Sequence, residues 1–105
     1  MKTNENVILD ALKTAVHKTA GMELAYLYGS RARGDATPDS DWDVLVVLDK
    51  GKITSDDFDA TAFPLYDVGL EQDATVSVNV YALPDWRKHS FMPFFNNVKQ
   101  EGIRL

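Results

Sequence analysis

Two carboxylates separated by one residue, Asp41 and Asp43, stand directly before the unbroken apolar run Val44 to Leu48. On an extended chain, residues i and i+2 point to the same side, with Cα atoms about 6 to 7 Å apart. Such a pair can share one divalent cation or hold two side by side, as metal-assisted phosphoryl or nucleotidyl transfer requires. A polar loop of ten residues, RARGDATPDS (31–40), joins it to a second feature, Gly29-Ser30, which ends the apolar and aromatic run Leu24 to Tyr28. A strand that ends in Gly-Ser and leads into a helical turn offers free backbone N–H groups and a hydroxyl, the makings of a phosphate cradle. Glycine there lets the backbone come close to an oxyanion. Arg31 and Arg33 follow, each either reaching a phosphate or forming a surface ion pair with the acidic loop.

Other chemistries are poorly served. The chain has no cysteine, and its only histidines, His17 and His89, lie far apart, so a thiolate zinc site, a disulfide framework and a thiol nucleophile are all excluded. A metal must sit mainly on oxygen, which favours hard ions such as magnesium. Asp39, Asp41 and Asp43 do not form a calcium loop, which would need glycine in place of Val44 and glutamate in place of Lys50.

The elements that must position these residues can be read from periodicity. Asn4 to Thr19 places Val7, Ile8, Ala11, Leu12, Ala15 and Val16 on one helical stripe, stopped by Gly21. Leu24 to Tyr28 reads as a buried strand, and Val44 to Leu48 (VLVVL) as a central strand covered on both faces. Thr54 or Ser55 can cap a helix running to about Leu70, with Asp56 and Asp57 in its first turn and Pro64 as a point of kinking. Thr75 to Tyr81 (TVSVNVY) alternates strictly and predicts a third strand, with Val76, Val78 and Val80 on one face and Ser77, Asn79 and Tyr81 on the other. Asp85 to Glu101 is helical in part, broken near Pro93, and stops at Gly102. The expectation is one α/β (α+β) domain over residues 1–105, a small mixed sheet of three or more strands covered by helices.

Charge is unevenly spread within a total of 105 residues and a formal charge of −5. Asp35 to Asp73 contains eleven acids against Lys50 and Lys52 alone. That belt repels phosphate backbones and argues against general nucleic-acid binding. No apolar run approaches the roughly 20 residues of a membrane span and the first residues are not a secretory signal, so a cytoplasmic location is expected. Trp86, Phe91, Met92, Phe94 and Phe95 crowd into ten residues, more apolar area than a small sheet easily hides, and the surplus suits a protein partner or a homodimer.

The segment GSRARGDATPDSDWDVLVVLD resembles the signature of the minimal nucleotidyltransferases within the DNA polymerase beta superfamily, in which Gly-Ser is followed some ten residues later by Asp-x-Asp on the next strand. The likeness extends along the chain to the tail Asn96–Leu105, which is similar to the family's Asn-x-x-x-x-Glu-Gly-Ile-x-Leu ending. It implies a nucleotidyltransferase fold, a nucleoside triphosphate held by Gly29 and Ser30, to which the residue reading adds Arg33, and magnesium or manganese on Asp41 and Asp43. It further implies transfer of a nucleoside monophosphate, AMP from ATP, to an acceptor hydroxyl with release of pyrophosphate. Many members are the antitoxin half of HEPN/MNT toxin–antitoxin pairs, so a small helical toxin-like protein is the implied partner. Active members carry a third acid on a neighbouring strand, where this chain offers only Ser77 and Asn79. Glu71 and Asp73, just before that strand, are the alternative source of charge. A catalytically impaired protein of this fold, acting as an antitoxin or regulatory module, is therefore the second reading.

Overall fold

Alternation in the central strands sends side chains to two faces, and a different pair of helices covers each. The structure is a computed structural model that describes residues 2–105, with side chains from Glu5 onward. In chain order it contains α1 (Lys2–His17), β1 (Met22–Tyr28), α2 (Ser30–Arg33), β2 (Trp42–Leu48), α3 (Ser55–Gln72), β3 (Val76–Ala82), α4 (Leu83–His89), α5 (Pro93–Glu101) and β4 (Ile103–Arg104). The strands lie in the order β3-β2-β1-β4. β2 and β3 are parallel, which obliges the chain to cross over, and α3 is that crossover. The other pairs are antiparallel. The architecture is the expected mixed α/β sheet.

The VLVVL run becomes β2, buried from Val44 to Leu48 because both faces are covered. Trp42, Val44, Val46 and Leu48 face α1 and α3, joining Ile8, Leu12, Val16, Ala62, Leu65 and Val68 in the larger core. Leu45 and Val47 face the other way, against Leu83, Trp86 and Val98 of α4 and α5. Burying each such side chain contributes about 1.5 to 3 kcal/mol, so β2 anchors whatever stands at its start.

Thr54 caps α3 through a capping box: its hydroxyl accepts from the Asp57 N–H at 3.1 Å and the Asp57 carboxylate accepts from the Thr54 N–H at 3.0 Å. Pro64 lies inside α3, which continues through it to Gln72, past the expected end at Leu70. The tail is two helices separated near Pro93, as the sequence suggests. β4 has no counterpart in the sequence reading. Two residues are too few for a period, yet their pairing with Tyr26 and Leu27 gives β1 a neighbour on each side. The aromatic surplus divides: Trp86 is buried and Phe95 packs beside it, while Phe91, Met92 and Phe94 stay exposed.

Candidate active site

The two sequence features meet at one corner of the sheet. Tyr28, the last residue of β1, is paired with Asp43 near the start of β2, so Gly29 emerges beside the Asp43 carboxylate. Gly29 has φ 76° and ψ −157°, a region that essentially only glycine adopts. A Cβ built on it would lie 2.5 Å from Asp43 Oδ2. The glycine is thus needed twice, for its backbone and for the carboxylate that occupies the space above it.

Beyond Gly29 the chain makes the single turn of α2, whose Ala32 and Arg33 N–H groups return to the Gly29 carbonyl at 3.1 Å. Gly29 has no side chain to cap the turn, so the first N–H groups of α2 are left to solvent or an anion. Ser30 is half-buried at the head of this turn.

Asp41 is exposed and Asp43 half-buried, on one side of the extended chain and opposite to buried Trp42. Burial first, and then the Asp41 charge, hold the Asp43 carboxyl above its ordinary value of 3.8, while Arg33 pulls it down. Two like charges at the sheet edge, one of them partly desolvated, form a platform that a hard dication would neutralise. The donor chemistry fits magnesium. Among the described residues, however, no group of three acids, histidines or cysteines comes together as a metal site. Glu71 is exposed near the end of α3, and Asp73 lines a cavity of about 510 Å³ with Trp42, on the far side of the sheet.

On β3, Ser77 is in register with Asp43 and Asn79 with Leu45, so both share the face of the acid pair. Asn79 Nδ2 donates to Tyr28 Oη at 2.5 Å, across the intervening strand β2. Burial pushes the Tyr28 phenol above its ordinary 10.0, against the opposing effect of that bond. The sequence reading places Tyr28 only at the end of a buried strand; its alternation with Tyr26 and Leu24 was the signal that it shares the Asp43 face.

The two arginines have different jobs. The Arg31 side chain is only 10% exposed. It donates to the Ser40 carbonyl (2.9 Å from Nη2, 3.2 Å from Nε) and to the Pro38 carbonyl at 3.3 Å, and lies 4.7 Å over the Trp42 ring. It pins the 35–40 loop and, through it, the approach to Asp41. Arg33 is half-exposed, 3.3 Å from Asp35 and 3.8 Å from Glu101. Such ion pairs are weak and leave it able to turn toward an anion.

The chain belongs to the polymerase beta nucleotidyltransferase family, whose model matches residues 10–89. That span contains Gly29, Ser30, Asp41, Asp43, Ser77 and Asn79. Two crystal structures of mutants of the toxin–antitoxin MntA–HpeT have the same fold. One aligns with TM-score 0.57 and 18% identity over 95% of this chain and 70% of its own. The other aligns with TM-score 0.56 and 22% identity over 96% and 70%. No curated protein matches the chain in sequence.

Proposed function

We propose that the protein is a cytoplasmic, magnesium-dependent nucleotidyltransferase that moves AMP from ATP to an acceptor hydroxyl. The observation that carries this is how near the Asp43 carboxylate stands to Gly29, where a Cβ would lie 2.5 Å from Asp43 Oδ2, and it supports reading the Gly29 turn and the acid pair as one site. Gly29, Ser30 and the first N–H groups of α2 hold the phosphates, and Arg33 leaves its exposed ion pairs to join them. Asp41 and Asp43 hold magnesium or manganese. When bound, the ion neutralises phosphate charge as it builds on the leaving group. The acceptor oxygen bonds to the α-phosphorus, the bond from that phosphorus to the β-phosphate oxygen breaks, and pyrophosphate leaves. The hydroxyl proton passes to solvent, because Ser77 and Asn79 offer no carboxylate to take it.

That last point favours a second reading, a slow or inactive member that binds nucleotide and acts through a protein partner. Asn79 is an amide and already tied to Tyr28. The structural neighbours are toxin–antitoxin proteins, so a small helical toxin is the partner this reading names. Incubation with ATP labelled on its α-phosphate, with magnesium and cell extract, separates the two. Label on an acceptor, lost in Asp41→Asn/Asp43→Asn, supports the transferase; nucleotide binding without transfer supports the second reading.

A further inference from the structure

Beside Gly29 the site opens into a cavity of about 260 Å³, whose α5 wall the transfer chemistry above does not use. Tyr28, Gly29 and Arg33 line one part of it, and Phe94, Asn97 and Glu101 of α5, with Val98 beneath them, line the rest. The α5 residues fall at i, i+3 and i+7, one stripe of the helix. Phe94 meets the Tyr28 ring edge-on, with centroids 5.6 Å apart, yet remains 42% exposed. The core beneath is closed without it, since Trp86 and Val98 are buried.

We propose that this cavity is the nucleobase pocket and takes a purine, with Phe94 as its stacking ring and Asn97 pairing with its edge. The proposal rests on the nucleotide reading of the Gly29–Asp43 corner. Gly29 belongs to both places, so a nucleotide with phosphates at α2 has its remaining part beside α5. The volume lies just below the roughly 300 Å³ at which pockets for whole drug-sized ligands begin, which suits a base rather than a complete nucleotide. With Arg33 drawn to the phosphates, Glu101 leaves a negative charge on the α5 wall, so the cavity favours a neutral aromatic ring over further phosphate. The Asn97 amide carries both a donor and an acceptor, matching the amino and ring-nitrogen edge of adenine. Phe94 and Asn97 lie outside the span 10–89 matched by the family model.

Two probes test this by calorimetry with magnesium present: ATP, and inorganic tripolyphosphate, which has no base. Phe94→Ala is expected to weaken ATP by roughly 5- to 150-fold, the usual effect of losing one stacking partner, and to leave tripolyphosphate unchanged. Phe94→Leu keeps the apolar contact with Tyr28 and should lose ATP affinity at an unaltered unfolding midpoint. Asn97→Ala should narrow the preference for ATP over CTP. Wild-type ATP affinity in Phe94→Leu, alongside weakening of both probes in Asp43→Asn, overturns the base pocket and keeps the phosphate site. Failure of both probes to bind the wild type overturns the pocket together with the reading beneath it.

Discussion

Replacing Gly29 by alanine tests the geometry of the corner without any ligand. The backbone at φ 76° and ψ −157° costs a residue with a side chain about 1 to 3 kcal/mol. The new methyl would also lie 2.5 Å from Asp43 Oδ2, where ordinary contact begins near 3.4 Å. Asp43 is short and half-buried, so it relieves the clash by leaving its rotamer, for about 1 kcal/mol more. The sum is about 2 to 4 kcal/mol, or a Tm lower by roughly 8 to 20 °C in a domain of this size. Urea unfolding of a double-mutant cycle separates the two parts. In an Asp43→Ala background the nearest remaining contact is Asp43 Cβ at 3.7 Å, which is unstrained, so Gly29→Ala there should cost only the backbone share. A coupling of about 1 kcal/mol stands clear of the 0.3 to 0.5 kcal/mol scatter of independent sites. Refutation would be a Gly29→Ala protein as stable as wild type, or a cycle with no coupling.

Arg31→Ala should cost about 2 to 4 kcal/mol, since it removes charge-assisted bonds to two carbonyls and the contact with Trp42, whereas exposed Arg33→Ala should cost under about 1 kcal/mol; thermal melts showing the reverse order would exchange their roles. Asn79→Asp places a charge on the face shared with Asp43 and should raise transfer of labelled AMP above the wild-type rate, and a rate unchanged or lower would move the missing base elsewhere. The Lys50 hydrogen bond and the capping box lower the Asp57 carboxyl from 3.8 to about 2. The unfolded chain therefore takes up this proton first, so stability falls as pH drops from about 5 toward 2, and Asp57→Asn should remove part of that slope in melts across the range.

What the sequence reveals is what adjacent residues decide. The VLVVL run and the alternation of TVSVNVY carry their structural reasons within a few positions and take the expected form, and the cap left open between Thr54 and Ser55 falls to Thr54. The parity of Asp41 and Asp43 is equally local, as is the end of a strand at Gly29. Long-range pairings were hidden. Asn79 reaches Tyr28 across 51 residues of chain, and no spacing rule connects them. Arg31 and Arg33 look alike in sequence, and only the fold of the 35–40 loop gives the first its carbonyl partners and leaves the second at the surface. β4 depends on β1 for its existence, because two residues have no intrinsic strand signal.

Calorimetric titration of the wild type and of Asp41→Asn/Asp43→Asn with ATP, in magnesium and in chelator, measures the central claim most directly. Binding that needs the cation and is lost in the double variant, with the fold intact by circular dichroism, is the result expected of an acid pair facing a phosphate cradle. Equal ATP affinity in the two proteins, or binding indifferent to magnesium, would contradict it.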